Sequence, residues 1–328
     1  MAVTAAIATL PGPVVQARTT QGLVPWHGPV EHLFFHPLVT DPGRTFHAPD
    51  AKDWKDYFVT VQEFTRIVGS LYRKGWVLVD IHAAVSGHLM VPAHRRPIVI
   101  SIDDLNYTDW MQAAGLAWRM VLDPQGRIAV EVRDRHGKHP RISRTDDIVP
   151  ILDDFVRLHP DFSVDGAKGV IGETGTEGVL GERTNARKTP GWAQRVARAK
   201  AMVAVLKATG WTFASHSYAH PDLSLVSLDT TIRDSRRWRN EVEPIIGSTD
   251  VYLYPYGSVP TLAVRLVLHR RFGFRIFGSI DVIPGAIHDH GMIEMYRRHI
   301  DGISFRDEVK ALRPFFDVSK VIDARNRG

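Results

Sequence analysis

The 328-residue sequence contains no cysteine. That absence excludes disulfides, thiolate-held zinc, iron–sulfur clusters and thiol nucleophiles together. Any metal must be held by histidine, aspartate or glutamate, and 16 histidines are present. Long apolar runs are missing too. No stretch approaches the roughly 18 apolar residues of a membrane helix, so no transmembrane segment is expected. A dense basic patch is also lacking. Lys and Arg number 41 against 36 Asp and Glu, for a net charge of +5 and a pI near 9.4. That mild bias suits an anionic polymer or a cell envelope and is too weak to argue for a nucleic-acid partner. With 44% hydrophobic and 23% charged residues, the chain is of ordinary globular composition. Disordered, collagenous and coiled-coil classes are thereby excluded.

Met1 to Ala17 carries no charge and is rich in small apolar residues, with Val15-Gln16-Ala17 resembling a small-x-small cleavage site. A secretory signal needs a basic start, and none is present. Residues 1–29 therefore read as a signal-peptide remnant or a disordered tail, and a secreted or envelope location is expected. Residues 30–328 read as one domain.

Within that domain, strand and helix patterns alternate. His32 to His36 has strand length. Asp53 to Tyr72 places Trp54, Phe58, Val61, Phe64, Val68 and Leu71 at helical spacing on one face. Trp76 to Ile81 and Pro97 to Ile102 read as strands; the second is apolar throughout, as in a parallel sheet covered on both sides. Ala117 to Leu122 and Arg127 to Arg133 flank Asp123-Pro124-Gln125-Gly126, which predicts a hairpin. From Gly166 to Gly181 a glycine recurs at every third residue. The run is too short and proline-free for collagen, and no Gly-Lys-Ser/Thr ends it as in a phosphate loop. It reads as an irregular loop. Helices are predicted over 147–159, 191–209, 228–242 and 261–271. Strands are predicted over 211–215, 251–254, 274–277 and 292–299. Repeated strand–helix units predict a parallel α/β sheet or barrel.

Three features follow predicted strands, the edge where parallel α/β folds collect their sites. Asp103-Asp104 ends the 97–102 strand. Two adjacent carboxylates repel unless a cation or a shared proton compensates, although alone such a pair is more often a solvated turn. His216-Ser217-Tyr218-Ala219-His220 follows the 211–215 strand. Two imidazoles at i and i+4 can reach one ion from one face of a helical turn, although two surface histidines are the plainer reading. Tyr254-Pro255-Tyr256-Gly257 follows a third strand, and by itself is an ordinary turn. Taken together, Asp104, His216 and His220 form a two-histidine, one-carboxylate set with open coordination positions, the mark of a catalytic metal. Asp103 stands beside it as a base.

In this order, the Ser101-Ile102-Asp103-Asp104, His216–His220 and Tyr254–Gly257 segments resemble the motifs of polysaccharide deacetylases. These are the NodB-homology domains of carbohydrate esterase family 4. The resemblance spans about residues 30–302. It implies a distorted (β/α)7 barrel in which Asp103 is the general base and Asp104, His216 and His220 hold a divalent metal, expected to be zinc. It also implies that Pro255 and Tyr256 border the substrate, with the Tyr256 N–H on the oxyanion, that Asp281 matches a fourth motif, and that His299 is the nearest match to a late acid histidine, with His288 and His290 as rivals. The implied substrate is an acetylated glycan.

Two departures stand out. The family's third motif starts with an arginine that pairs with the base, and here that position is Leu253. Arg275, Arg297 and Arg298 are the candidates to replace it. The gap of 112 residues from Asp104 to His216 is also long, so an insertion over about 117–188 is expected to shape substrate access. Strand alternation adds that Arg298 and His299 face opposite ways. The leading function is metal-dependent removal of acetyl groups, most simply N-acetyl. The rivals are a catalytically impaired glycan-binding domain and a hydrolase of O-acetyl esters or cyclic amides. Tyr107, Trp110, Tyr218 and Tyr256 are aromatic candidates to stack on sugar rings.

Overall fold

The computed structural model describes residues 22–327. Seven parallel strands close on themselves: β1 Glu31–Phe35, β2 Arg96–Asp103, β3 Gly169–Glu173, β4 Trp211–Ser215, β5 Val251–Leu253, β6 Ile276–Ile280 and β7 Met292–His299. Each pairs with the next in chain order, and β7 pairs with both β6 and β1. The expected (β/α)7 barrel is the observed fold. Two further strands join this sheet outside the ring. Trp76–Leu78 pairs with the first half of β2, and Ala286–Asp289 runs antiparallel to β7.

A period of two sorts every barrel strand into an inner and an outer face. Val99, Val170, Ala214, Val251, Ile276, Ile293 and Met295 fill the barrel interior with Leu253. Ile98, Ile100, Ile102, Ile171, Phe213, Tyr252 and Phe277 face outward into the helical layer, where helices such as Val61–Arg73 and Trp192–Ala208 cover them. This explains why β2 is apolar at both parities. One step further along the inner face, apolar side chains give way to Ser101, Asp103, His216 and Arg297, all almost fully buried. Polar residues therefore appear in one layer, at the carboxyl ends of the strands.

Several expectations need correction. The single helix expected over 53–72 is two, Ala51–Tyr57 and Val61–Arg73. Thr60 and Glu63 form a reciprocal capping box that starts the second: the Thr60 N–H donates to Glu63 Oε2 at 2.8 Å, and the Glu63 N–H donates to Thr60 Oγ1 at 3.2 Å. The glycine-rich stretch is not a loop throughout, because Gly169–Glu173 is barrel strand β3. Its glycines are required by close approach. A Cβ on Gly169 would stand 2.6 Å from the Ile100 carbonyl oxygen. The expected hairpin is present as Arg119–Leu122 and Ile128–Val132, but a third strand, Arg141–Ser143, extends it into a sheet, and the expected helix follows as Ile148–Leu158. Pairing also starts ahead of residue 30, since Leu23–Pro25 lies antiparallel to Met90–Pro92. The apolar segment 1–17 lies outside the described residues.

Gly278 is the inner-face residue of β6 next to the polar layer. A Cβ there would meet Leu253 Cδ2 at 2.7 Å and Arg297 Nε at 2.8 Å. Gly278→Ala is expected to cost roughly 1–3 kcal/mol by overpacking, read as a lower midpoint in denaturant melts with an unchanged slope.

Candidate active site

Asp103 is the last residue of β2, and its carboxylate continues the inner face after Val99 and Ser101. Asp104 next to it should point away, but its φ is +59°. That left-handed turn swings the second carboxylate back over the barrel mouth, and aspartate is among the few side chains that tolerate it. The adjacent pair thus serves one cavity without being on one strand face.

His216 continues the inner face of β4 beyond Ala214. The two histidines do not share a helical turn, as their spacing had predicted. They lie on a loop in which Ser217 and His220 have φ of 63° and 53°. Asp234, on helix Leu228–Glu241, holds that loop by accepting the Tyr218 and Ala219 N–H groups at 2.7 and 2.8 Å, and Ser217 Oγ accepts the His220 N–H at 2.9 Å. His216 Nδ1 donates to the Leu253 carbonyl at 2.8 Å. This fixes Nε2 as the nitrogen carrying the lone pair. His216 Nε2 and His220 Nε2 stand 3.1 Å apart, and His220 Nε2 is 3.6 Å from Asp104 Oδ2.

One donor atom each from Asp104, His216 and His220 lies within 4.8 Å of the others. Burial lowers the His216 pKa, against the opposing fields of Asp103 and Asp104. The imidazole is thus kept neutral, as a ligand must be. Two convergent imidazole nitrogens and a carboxylate oxygen fit a borderline-soft divalent cation with open positions.

Of the three candidate arginines, Arg297 is the one that reaches Asp103. It lies on the inner face of β7 after Ile293 and Met295, and is fully buried. Its Nη1 donates to Asp103 Oδ1 at 2.8 Å and to Oδ2 at 2.9 Å, and its guanidinium lies 4.5 Å over the Phe34 ring. Arg298 turns outward to Glu308 at 2.9 Å. Burial alone would raise the Asp103 carboxyl, but Arg297 above all holds it down at about 2.

Residues 185–275 match the polysaccharide deacetylase family. The matched segment includes both histidines and Tyr254–Gly257, while the aspartate pair and Arg297 lie outside it. The barrel is similar to the Streptococcus pyogenes deacetylase PplD, solved with acetate, at 13% identity and a TM-score of 0.52, covering 88% of this chain and 99% of that one. It is also similar to the candidate polysaccharide deacetylase BA0330 from Bacillus anthracis, at 15% identity and 0.50, covering 92% and 69%. At these identities the likeness establishes the fold alone. No curated protein matches the chain by sequence.

The remaining expected residues are dispersed. Tyr256 (φ +58°) is 63% exposed, and its ring packs edge-on against His220 at 4.7 Å. Gly257 is needed behind it, because a Cβ there would lie 2.0 Å from Ile280 Cγ1. Pro255 is buried beneath the turn. Asp281 accepts the Ile283 N–H at 3.1 Å in the loop after β6. His299 is engaged at both ring nitrogens, Nδ1 with Asp301 Oδ2 and Nε2 with Glu308 Oε1, each at 2.9 Å. Both nitrogens are thus taken up by carboxylates of the same wall. His288 belongs to the strand antiparallel to β7 and His290 to the turn after it. Of the aromatic candidates, Tyr107 and Tyr218 are buried, while Trp110 and Tyr256 are exposed.

Sequence reasoning missed His36. It follows β1 at the parity of His32 and Phe34, where the period of two could have found it. It lies close enough to lower the Asp103 pKa. Its Nδ1 donates to the Tyr57 carbonyl at 3.0 Å, which leaves Nε2 for other chemistry.

Two predictions follow from this geometry. Arg297→Met leaves a buried carboxylate unpaired and is expected to cost about 3–5 kcal/mol of stability near pH 7, measured by denaturant melts. For His299, burial opposes the charge, but Asp301 and Glu308 outweigh it and raise the pKa to about 9. Its contribution is therefore complete below the ordinary value of 6.5 and is lost as pH rises through about 9. His299→Gln should show a deficit of about 2–3 kcal/mol at pH 6 that vanishes by pH 10. A deficit independent of pH would reject the ion-pair role.

Proposed function

We propose that the protein hydrolyses acetyl groups on a glycan, N-acetyl first, with a divalent cation at Asp104, His216 and His220, zinc being the ion that the donor set suits. The observation that carries this is the convergence of those three donor atoms beside a carboxylate held ionised by Arg297. The family match over residues 185–275 supports the same reading.

A cation bound there would polarise the acetyl carbonyl and make a water acidic enough to attack near neutral pH. The chain's own residues do the rest. As the water oxygen bonds to the carbonyl carbon, Asp103 takes the water proton on its carboxylate. Arg297 keeps that carboxylate ionised beforehand and fixes its orientation by contacting both oxygens. The backbone N–H of Tyr256, at the lip of the mouth, is the donor assigned to the oxyanion. When the C–N bond breaks, the amine nitrogen needs a proton. His36 is assigned to supply it from Nε2 while doubly protonated, its Nδ1–H staying on the Tyr57 carbonyl, and the proton that Asp103 took from the water passes to solvent afterwards, restoring the carboxylate. Acetate and the free amine are the products.

Acetate release from N-acetylglucosamine oligomers and peptidoglycan fragments tests the proposal. Activity should disappear with chelator and return with zinc. Asp103→Asn should lower kcat by about 10² to 10⁴ while zinc binding persists. His36→Gln should impair amide substrates more than acetyl esters, because an alkoxide leaves with less need of a proton. Glycan binding without acetate release under any metal would instead favour the binding-domain reading.

A further inference from the structure

Among the described residues, Trp110 is the tryptophan that stands out from the core, at 46% exposure. It lies in helix Asp109–Ala114, six residues past Asp104 and at the same end of the barrel. Its indole is fixed from two sides. One face stacks on the buried Trp54 at 3.8 Å between ring centres and 22° between planes, and its Nε1 donates to Asp50 Oδ2 at 2.5 Å. The other face is open. Beneath it, Trp54, Phe58 and Met111 form a small core of their own. Ring contacts lead from Trp110 to Phe58 at 6.0 Å, and from Phe58 to His36 at 5.2 Å. The exposed indole is thus two ring contacts from the residue assigned to the leaving group.

Asp50 meets the indole edge, and further charged groups gather about the adjacent Asp109. Arg183, from the loop after β3, donates to Asp109 Oδ1 at 2.7 Å and to the Tyr107 carbonyl at 3.0 Å, and Glu177 accepts the Asp109 N–H at 2.7 Å. The Asp109 side chain is 82% exposed. A flat apolar face with carboxylate and guanidinium at its edge matches one chemical class. A pyranose has an apolar C–H face and a rim of hydroxyls that both donate and accept. Aromatic faces suit the first and ionised side chains the second. Because the indole is already immobilised, little rotamer entropy is lost when a ring stacks on it.

We propose that Trp110 forms a saccharide subsite beside the active site, holding a sugar unit next to the one that is deacetylated. Asp50, Asp109 and Arg183 supply polar contacts at its edge. This inference rests on the deacetylase reading only for the neighbouring unit; the stacking itself requires no turnover.

The test uses the full chain, metal-free and zinc-loaded, with N-acetylglucosamine hexamer and dimer as probes. Hexamer should change the tryptophan emission of the metal-free protein, and Trp110→Ala should abolish that change and weaken hexamer binding by about tenfold. Trp110→Phe, which keeps a flat ring on Trp54, should recover part of the affinity, and matched thermal melts would show that both variants fold. With zinc, Trp110→Ala should raise KM for hexamer about tenfold more than for dimer, with kcat changed less. Equal binding of hexamer by wild type and Trp110→Ala would overturn the proposal, as would no emission change in the wild type with either hexamer or a peptidoglycan fragment. Hexamer bound through Trp110 without acetate release would reject the deacetylase reading and leave the subsite standing.

Discussion

A guanidinium and a carboxylate buried together inside the barrel set the terms for everything near them. Arg297 is fully enclosed, and both Asp103 oxygens lie within 2.9 Å of its Nη1. Burying either charge alone costs several kcal/mol, and pairing them does little more than recover that cost. The pair is therefore a poor source of stability, and its retention has to be understood through what it does to Asp103. It keeps a dehydrated carboxylate ionised, which burial alone would prevent. A carboxylate held near pKa 2 is a weak base in water, so it needs a reacting water that is itself made acidic. In the proposed mechanism a cation on the neighbouring donor set would supply that acidity, and this is what would join the two halves of the site.

Space for the pair comes from residues with no side chain. Gly278 lies against Arg297 on one side, and on the other a Cβ on Gly172 would press on Leu253 Cδ1 at 3.1 Å beside Asp103. Both occupy inner-face positions that larger residues fill one layer below. Leu253 illustrates the economy of this layer. Its side chain packs in the interior apolar cluster while its carbonyl orients His216. The position where the resemblance led an arginine to be expected thus serves as packing and as a hydrogen-bond acceptor, and the charge is delivered from β7.

Much of this was legible in the residues because period-two burial and strand-end chemistry are local signals. Met292 to His299 reads directly as a strand, and the Asp103-Asp104, His216–His220 and Tyr254–Gly257 segments stand at strand ends where they were expected. What escaped was set by tertiary contact or by backbone conformation. Nothing in Asp103-Asp104 announces the positive φ of Asp104, and His216 and His220 converge through two left-handed residues where a helical turn would have served equally on paper. The strand Gly169–Glu173 was hidden by its glycines, whose reason lies in the Ile100 carbonyl across the sheet. The split at Thr60, by contrast, was carried by Thr60 and Glu63 and is readable as a capping box. The register of Arg297 against Asp103 could be narrowed to three arginines and no further, because selection among them depends on how β7 meets β1.

That meeting also bears on where a proton donor can come from. In an open sheet the first and last strands lie far apart, and order along the chain is a fair guide to place. Here the ring closes with His299 on β7 opposite Phe34 on β1. Residues near the two ends of the domain therefore occupy neighbouring stations at the same mouth. A histidine late in the sequence and one near its start are equivalent candidates for the same corner of the site, and local hydrogen bonding decides between them. His299 is held at both nitrogens by carboxylates and stays charged as part of the wall. His36 has one nitrogen tied to a carbonyl and lies within the field of Asp103. Closure of the barrel makes chain order uninformative at this corner, and the count of free ring nitrogens takes its place.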